Sequence, residues 1–182
     1  MKNIKLKYFY FIFTITVILS SCSPKIYFTP DLRTRLENNG VDLKNIQFYN
    51  DRQVLLKREI SSGEAKVTQG KVIVENGKYI NIVKLKPQTP GVCVKKSYNG
   101  VDISFEFGKD KSLSFGPNVT DGSKVKYYQL YANEWKDGLG KVSYDYKIYY
   151  IQSGGGQTKL MIKKSELNNL EIDKRTIKGR KL

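Results

Sequence analysis

The chain is 182 residues long and contains no histidine, which removes Ser-His-Asp and Cys-His catalysis, histidine metal sites and the commonest general base. Its two cysteines, Cys22 and Cys93, are too few for a cysteine zinc site and too far apart in sequence for a CxxC redox pair. A formal charge of +15 favours attraction to anionic surfaces and leaves the fold open.

Lys2, Lys5 and Lys7 make a basic start, and Tyr8 to Leu19 follow as 12 residues that are apolar or aromatic apart from Thr14 and Thr16. Such a run fits the roughly 7–15 residues of a signal-peptide core and falls short of the roughly 18–20 needed to span a bilayer. Leu19-Ser20-Ser21-Cys22 comes next. This resembles the lipobox of bacterial lipoproteins, in which a leucine, two small residues and a cysteine close the signal peptide. The resemblance implies that residues 1–21 are removed, that the Cys22 thiol carries a diacylglyceryl group, and that acyl chains on Cys22 hold the protein in a lipid bilayer. The mature chain would keep 29 Lys+Arg against 17 Asp+Glu, a charge of +12. Export turns that charge toward lipid phosphates and acidic glycans, with no nucleic-acid partner expected. Ser23-Pro24-Lys25 has no acid after the cysteine. By the same resemblance this favours the outer membrane and its periplasmic face.

Residues 22–29 read as the lipidated N-terminus and a short tether, because Ile26-Tyr27-Phe28 already has the pattern of structure. Thr29-Pro30 predicts a helix start, Leu32 and Leu36 share one face, and Asn38-Asn39-Gly40 supplies the stop, giving a helix over 30–39. From there the apolar period becomes two. Ile46, Phe48, Val54 and Leu56 alternate with polar residues around Tyr49-Asn50-Asp51. Asn76-Gly77 predicts a hairpin between Val72–Val74 and Tyr79–Leu85, and the slipped phase of the second strand predicts a bulge or burial on both faces. Pro87 to Gly91 reads as a turn. Val92–Ser97 then pairs through Asn99-Gly100 with a half-buried strand alternating over Val101, Ile103, Phe105 and Phe107. Val92-Cys93-Val94 predicts a buried, unreactive thiol, alone once Cys22 is lipidated. Strands follow over Leu113–Phe115, Val125–Tyr131, Val142–Ile151 and Lys159–Ile162. Gly154-Gly155-Gly156 reads as a flexible hairpin tip.

Thirteen tyrosines and eight phenylalanines supply the burial that a folded domain needs. The expected fold is mainly β: a compact antiparallel barrel or sandwich of about nine strands with one short N-terminal helix. The helix and β domain should occupy 30–165. A basic tail over 166–182 carries Lys174, Arg175, Lys178, Arg180 and Lys181. In its hairpins and Tyr-rich second half the domain looks like small envelope lipoproteins of Bacteroidota-type bacteria.

Aromatics are the one constellation that suggests a site. Tyr127, Tyr128, Tyr131, Trp135, Tyr144, Tyr146, Tyr149 and Tyr150 are interleaved with lysines. On a single strand, Tyr144, Tyr146, Ile148 and Tyr150 would share one face, opposite Asp145, Lys147 and Tyr149. Tyr128, Trp135 and Tyr149 are the candidate partner-binding residues, as tyrosine and tryptophan anchor protein interfaces and stack on glycans. No catalytic residue, metal or cofactor is expected. The reading is a membrane-anchored, non-enzymatic module that binds another envelope protein or supports an assembly. Its alternatives are a module for anionic glycan or lipid, and a carboxylate-based glycan hydrolase using Asp102 with Glu106 or Glu134 with Asp137.

Overall fold

The computed structural model describes residues 24–67, 71–119 and 126–167. The expected leader and lipobox, with Cys22, and the chain from residue 168 onward lie outside the described residues.

Helix α1 (Pro30–Asn38) forms where its signals fall. Thr29 Oγ1 accepts from the Leu32 amide, Pro30 opens the first turn, and Gly40 leaves the helix with φ +78°. Leu32 and Leu36 are buried in the core. A second short helix, α2 (Ser62–Val67), has no expected counterpart. Its signal is a capping pattern, since Ser61 Oγ accepts from the Glu64 amide, yet none of its residues is buried, so no apolar period announces it.

Thirteen strands are described. In chain order they are β1 (Lys25–Tyr27), β2 (Gln47–Asn50), β3 (Val54–Ile60), β4 (Lys71–Glu75), β5 (Lys78–Leu85), β6 (Pro90–Lys96) and β7 (Val101–Ser104). Then come β8 (Ser112–Val119), β9 (Lys126–Leu130), β10 (Glu134–Lys136), β11 (Leu139–Tyr144), β12 (Lys147–Ile151) and β13 (Leu160–Lys163). They build two antiparallel sheets in a sandwich-like arrangement. One runs β1-β13-β2-β6-β7-β8-β9, the other β10-β11-β12-β3-β5-β4. The seven-stranded sheet curls: Phe28, just past β1, accepts from the Tyr128 amide of β9 while its own amide donates to Leu160 O. A single Gln129–Lys159 bridge adds to that return without closing a barrel.

The fold is as expected in class and richer in strands, for two reasons. The segment 142–151 is not one strand: Asp145 and Tyr146, with φ of 52° and 59°, turn it into the β11–β12 hairpin. Positive φ at both central positions is the type I′ signature, here without the glycine that usually reveals it. Since Val142 pairs with Tyr149, the inward set is even-numbered in β11 and odd-numbered in β12. Tyr144 and Tyr149 therefore face the core together, while Tyr146, Ile148 and Tyr150 are exposed. In addition, β10 pairs with β11 through a tight turn at Asp137-Gly138. Strand β7 stops at Ser104, and Phe107 is fully exposed in the following loop rather than half-buried in a strand. Strand β5 keeps regular register with both neighbours, so its phase slip marks no bulge. Buried Asn81 holds an inward position among the apolar ones, and Ile80 and Ile82 lie on the opposite face.

The chain crosses between sheets four times, at 51–53, 86–89, 131–133 and 152–159. Three of these crossings are tied at one place. Asn50, fully buried, donates from Nδ2 to Arg52 O and Lys86 O, each at 2.7 Å, and accepts from the Thr89 amide at 2.9 Å. Asp51 exchanges bonds with Lys159 through its amide (3.0 Å) and its carboxylate (2.8 Å). Buried polar side chains fully satisfied in this way hold a unique geometry.

Candidate functional site

The other meeting of crossings builds the site. Between β9 and β10 the chain passes Ala132 and reaches Trp135, whose β10 position pairs with Gly140 of β11. A Cβ at Gly140 would come within 2.8 Å of the indole and 2.9 Å of Ala132 Cβ, and a Cβ at Gly156 would lie inside the indole itself. Two glycines are thus the bed of the ring. The glycine turn is consequently not a flexible hairpin tip. Gly155 and Gly156 are buried in a 3-10 turn, Gln129 Nε2 donates to Gly156 O at 2.8 Å, and Thr158 Oγ1 donates to Gly155 O at 2.6 Å. The turn carries the chain from one sheet to the other.

Beside the indole lies a cleft of about 830 Å³, with Tyr131, Gln129, Gln157, Asn118 and Lys126 among its lining residues. Trp135 is 47% exposed and Tyr131 58%. Amphipathic rings next to side-chain amides and one ammonium make a surface on which a sugar ring can stack while its hydroxyls find donors and acceptors.

The three sequence candidates separate. Trp135 presents surface to the cleft. Tyr128 is 2% exposed and its hydroxyl accepts from Arg33 Nη1 at 3.0 Å, docking α1 on β9. Arg33 also donates to Ser97 O at 2.8 Å. Tyr149 is 3% exposed and its hydroxyl donates to Asn81 Oδ1. Both tyrosines hold the core together and are closed to a partner. Tyr131, Gln129 and the glycine turn were absent from the candidate set; only the cluster of aromatics hinted at the first, and the last two meet Trp135 through long-range packing.

Of the two carboxylate pairs, Glu134 and Asp137 line one cleft with Lys136, Lys141 and Tyr150, while Asp102 and Glu106 are each bonded elsewhere. Asp102 accepts from Ser114 Oγ at 2.7 Å. Glu106, beyond the end of β7, accepts from Tyr144 Oη at 2.7 Å and pairs with Lys111. Burial, and then the bond to Glu106, pushes the Tyr144 phenol far above its ordinary range, so Tyr144 stays a neutral donor. Cys93 is buried, and that burial raises its thiol pKa, as an unreactive core cysteine requires.

Elsewhere, the outer face of the six-stranded sheet carries apolar side chains among lysines. One row crosses it as Glu134, Lys141, Tyr150, Lys57, Ile82 and Lys71, with Ile148 and Leu139 exposed nearby. Among the described residues no helix is long and apolar enough to cross a membrane. No protein-family model, curated protein or solved structure matches the chain.

Proposed function

We propose that this is a lipid-anchored envelope lipoprotein whose β domain is a non-enzymatic binding module, with the Trp135 cleft as the seat for a glycan. The anchor rests on Leu19-Ser20-Ser21-Cys22 after a basic start and an apolar run of signal-peptide length. The observation that carries the binding reading is the half-exposed indole of Trp135 on a bed of two glycines. A large ring fixed in place but left uncovered has already lost its conformational freedom, so a ligand stacking on it meets a preorganised surface. Amides of exposed Asn118 and Gln157 suit sugar hydroxyls, and Lys126 suits an acidic substituent.

Trp135 is the only tryptophan, so its emission reports on the cleft alone. Titration with acidic and neutral envelope oligosaccharides should give a saturable change in that emission, and calorimetry on Trp135→Ala should show the binding gone. Flat emission across the panel would remove the glycan reading. An envelope-protein partner is the second reading, favoured by exposed Ile148, Tyr150 and Leu139 on the outer face of the six-stranded sheet. Crosslinking in native membranes should then recover a protein attached through that face. Mass spectrometry of the native protein tests the anchor, which predicts an N-terminal Cys22 carrying diacylglyceryl.

A further inference from the structure

The first described strand and the last are neighbours. Lys25 of β1 stands directly opposite Lys163 of β13, and the Lys164 amide donates to Pro24 O at 2.8 Å. Like charges placed opposite one another across a strand pair are destabilising, and neither lysine is ion-paired among the described residues. Alternation puts Ile26 and Ile162 on the inner face with buried Phe48, so Lys25, Tyr27, Lys163 and Tyr49 lie on the outer one. There Lys25 Nζ sits 4.4 Å from the centre of the Tyr49 ring. Tyr27 meets the Tyr127 ring edge-on at 5.2 Å, and Lys159 Nζ lies 4.3 Å from the Tyr127 ring centre. Tyrosines and lysines on one sheet face are the side chains that suit a headgroup layer, with an apolar ring and a cation in the same few ångströms.

Chain length sets what lies against this face. Only Ser23 and Pro24 separate Cys22 from Lys25, so at full extension the lipidated sulfur is within roughly 10 Å of β1, about one Debye length at physiological salt. Because β13 runs antiparallel to β1, the chain after Lys164 leaves at the same end of the sheet. It continues toward Lys174, Arg175, Lys178, Arg180 and Lys181, with no acid among residues 174–182.

We infer that the outer face of β1 and β13, with Lys25, Lys163 and Tyr27, is a contact for anionic phospholipid headgroups in the leaflet that holds Cys22. The inference rests on the anchor reading above. It makes the lipid on Cys22 one of two membrane signals and the basic face the other, so the domain lies on the bilayer in one orientation instead of swinging on its tether.

Lysine acylation footprinting of the full lipidated protein tests it, in vesicles of phosphatidylcholine with 30% phosphatidylglycerol and of phosphatidylcholine alone. On anionic vesicles Lys25 and Lys163 should label about fivefold more slowly relative to exposed Lys84 and Lys136 of the other sheet, and 0.5 M salt should erase the difference. The double variant Lys25→Gln, Lys163→Gln should remain vesicle-bound through its lipid while Lys159, against the Tyr27 and Tyr127 rings, loses its protection. Equal labelling of both sets on anionic vesicles, or equal protection on neutral and anionic ones, overturns the face and leaves the anchor standing. An unmodified thiol at Cys22 in the starting protein overturns the anchor, and the face with it.

Discussion

Two clusters hold the sheet crossings together, and they are built to opposite ends. Both polar atoms of the Asn50 side chain find internal partners, and the side chain is fully buried. Around Trp135 the packing is as close, yet the indole is left half in water. A crossing needs only the first kind of knot. Rigidity without closure is the ground on which the Trp135 cleft is proposed as a ligand seat.

The sharpest break of that contrast is Asn50→Leu, which takes the side-chain partner from Arg52 O, Lys86 O and the Thr89 amide at once. It should cost about 3 kcal/mol of stability, a melting temperature lower by roughly 6–12 °C in thermal denaturation, with any surviving folded protein still binding at the cleft. Gly156→Ala places a methyl inside the indole. It should destabilise by about 1–2 kcal/mol and weaken ligand binding at least tenfold, because the ring must leave its bed. Trp135→Ala should move stability by less than about 1 kcal/mol and still abolish binding in calorimetry. A loss comparable to Asn50→Leu would make Trp135 a second structural knot. The smallest effect is local and titrates. Glu64, paired with Arg58 and Lys147, is held below its ordinary value, chiefly by the Arg58 bond. A depressed carboxylate stabilises above its unfolded pKa and stops doing so as pH falls through the folded one. Amide exchange at Glu64 and Ala65 should therefore rise on acidification below the usual glutamate range, and Glu64→Gln should flatten that profile.

How far the residues announce all this depends on the range of the contacts. Helix α1 is legible because Thr29, Pro30, Leu32, Leu36 and Gly40 act within a few residues of one another. The Asn76-Gly77 hairpin is legible for the same reason. The Asp145-Tyr146 turn is not, since neither residue is glycine and the alternation reads straight through it. That one omission reverses the parity that decides which tyrosines face inward. Sheet membership is equally hidden, because β2 and β3 adjoin in sequence and belong to different sheets. Of the site, aromatic crowding reveals Trp135, while its seat on Gly140 and Gly156 exists only after β10, β11 and the last crossing come together.

Phe28 acquires a mechanical meaning from its position. It follows β1 directly, is wholly buried, packs edge-on against Phe48 at 5.1 Å, and bonds through its backbone to both Leu160 and Tyr128. Any tug delivered through the chain before β1 reaches the body of the protein along three residues of β1 and meets this ring. Phe28 is thus the bolt that turns a pull on the N-terminal strand into shear across two strands at once.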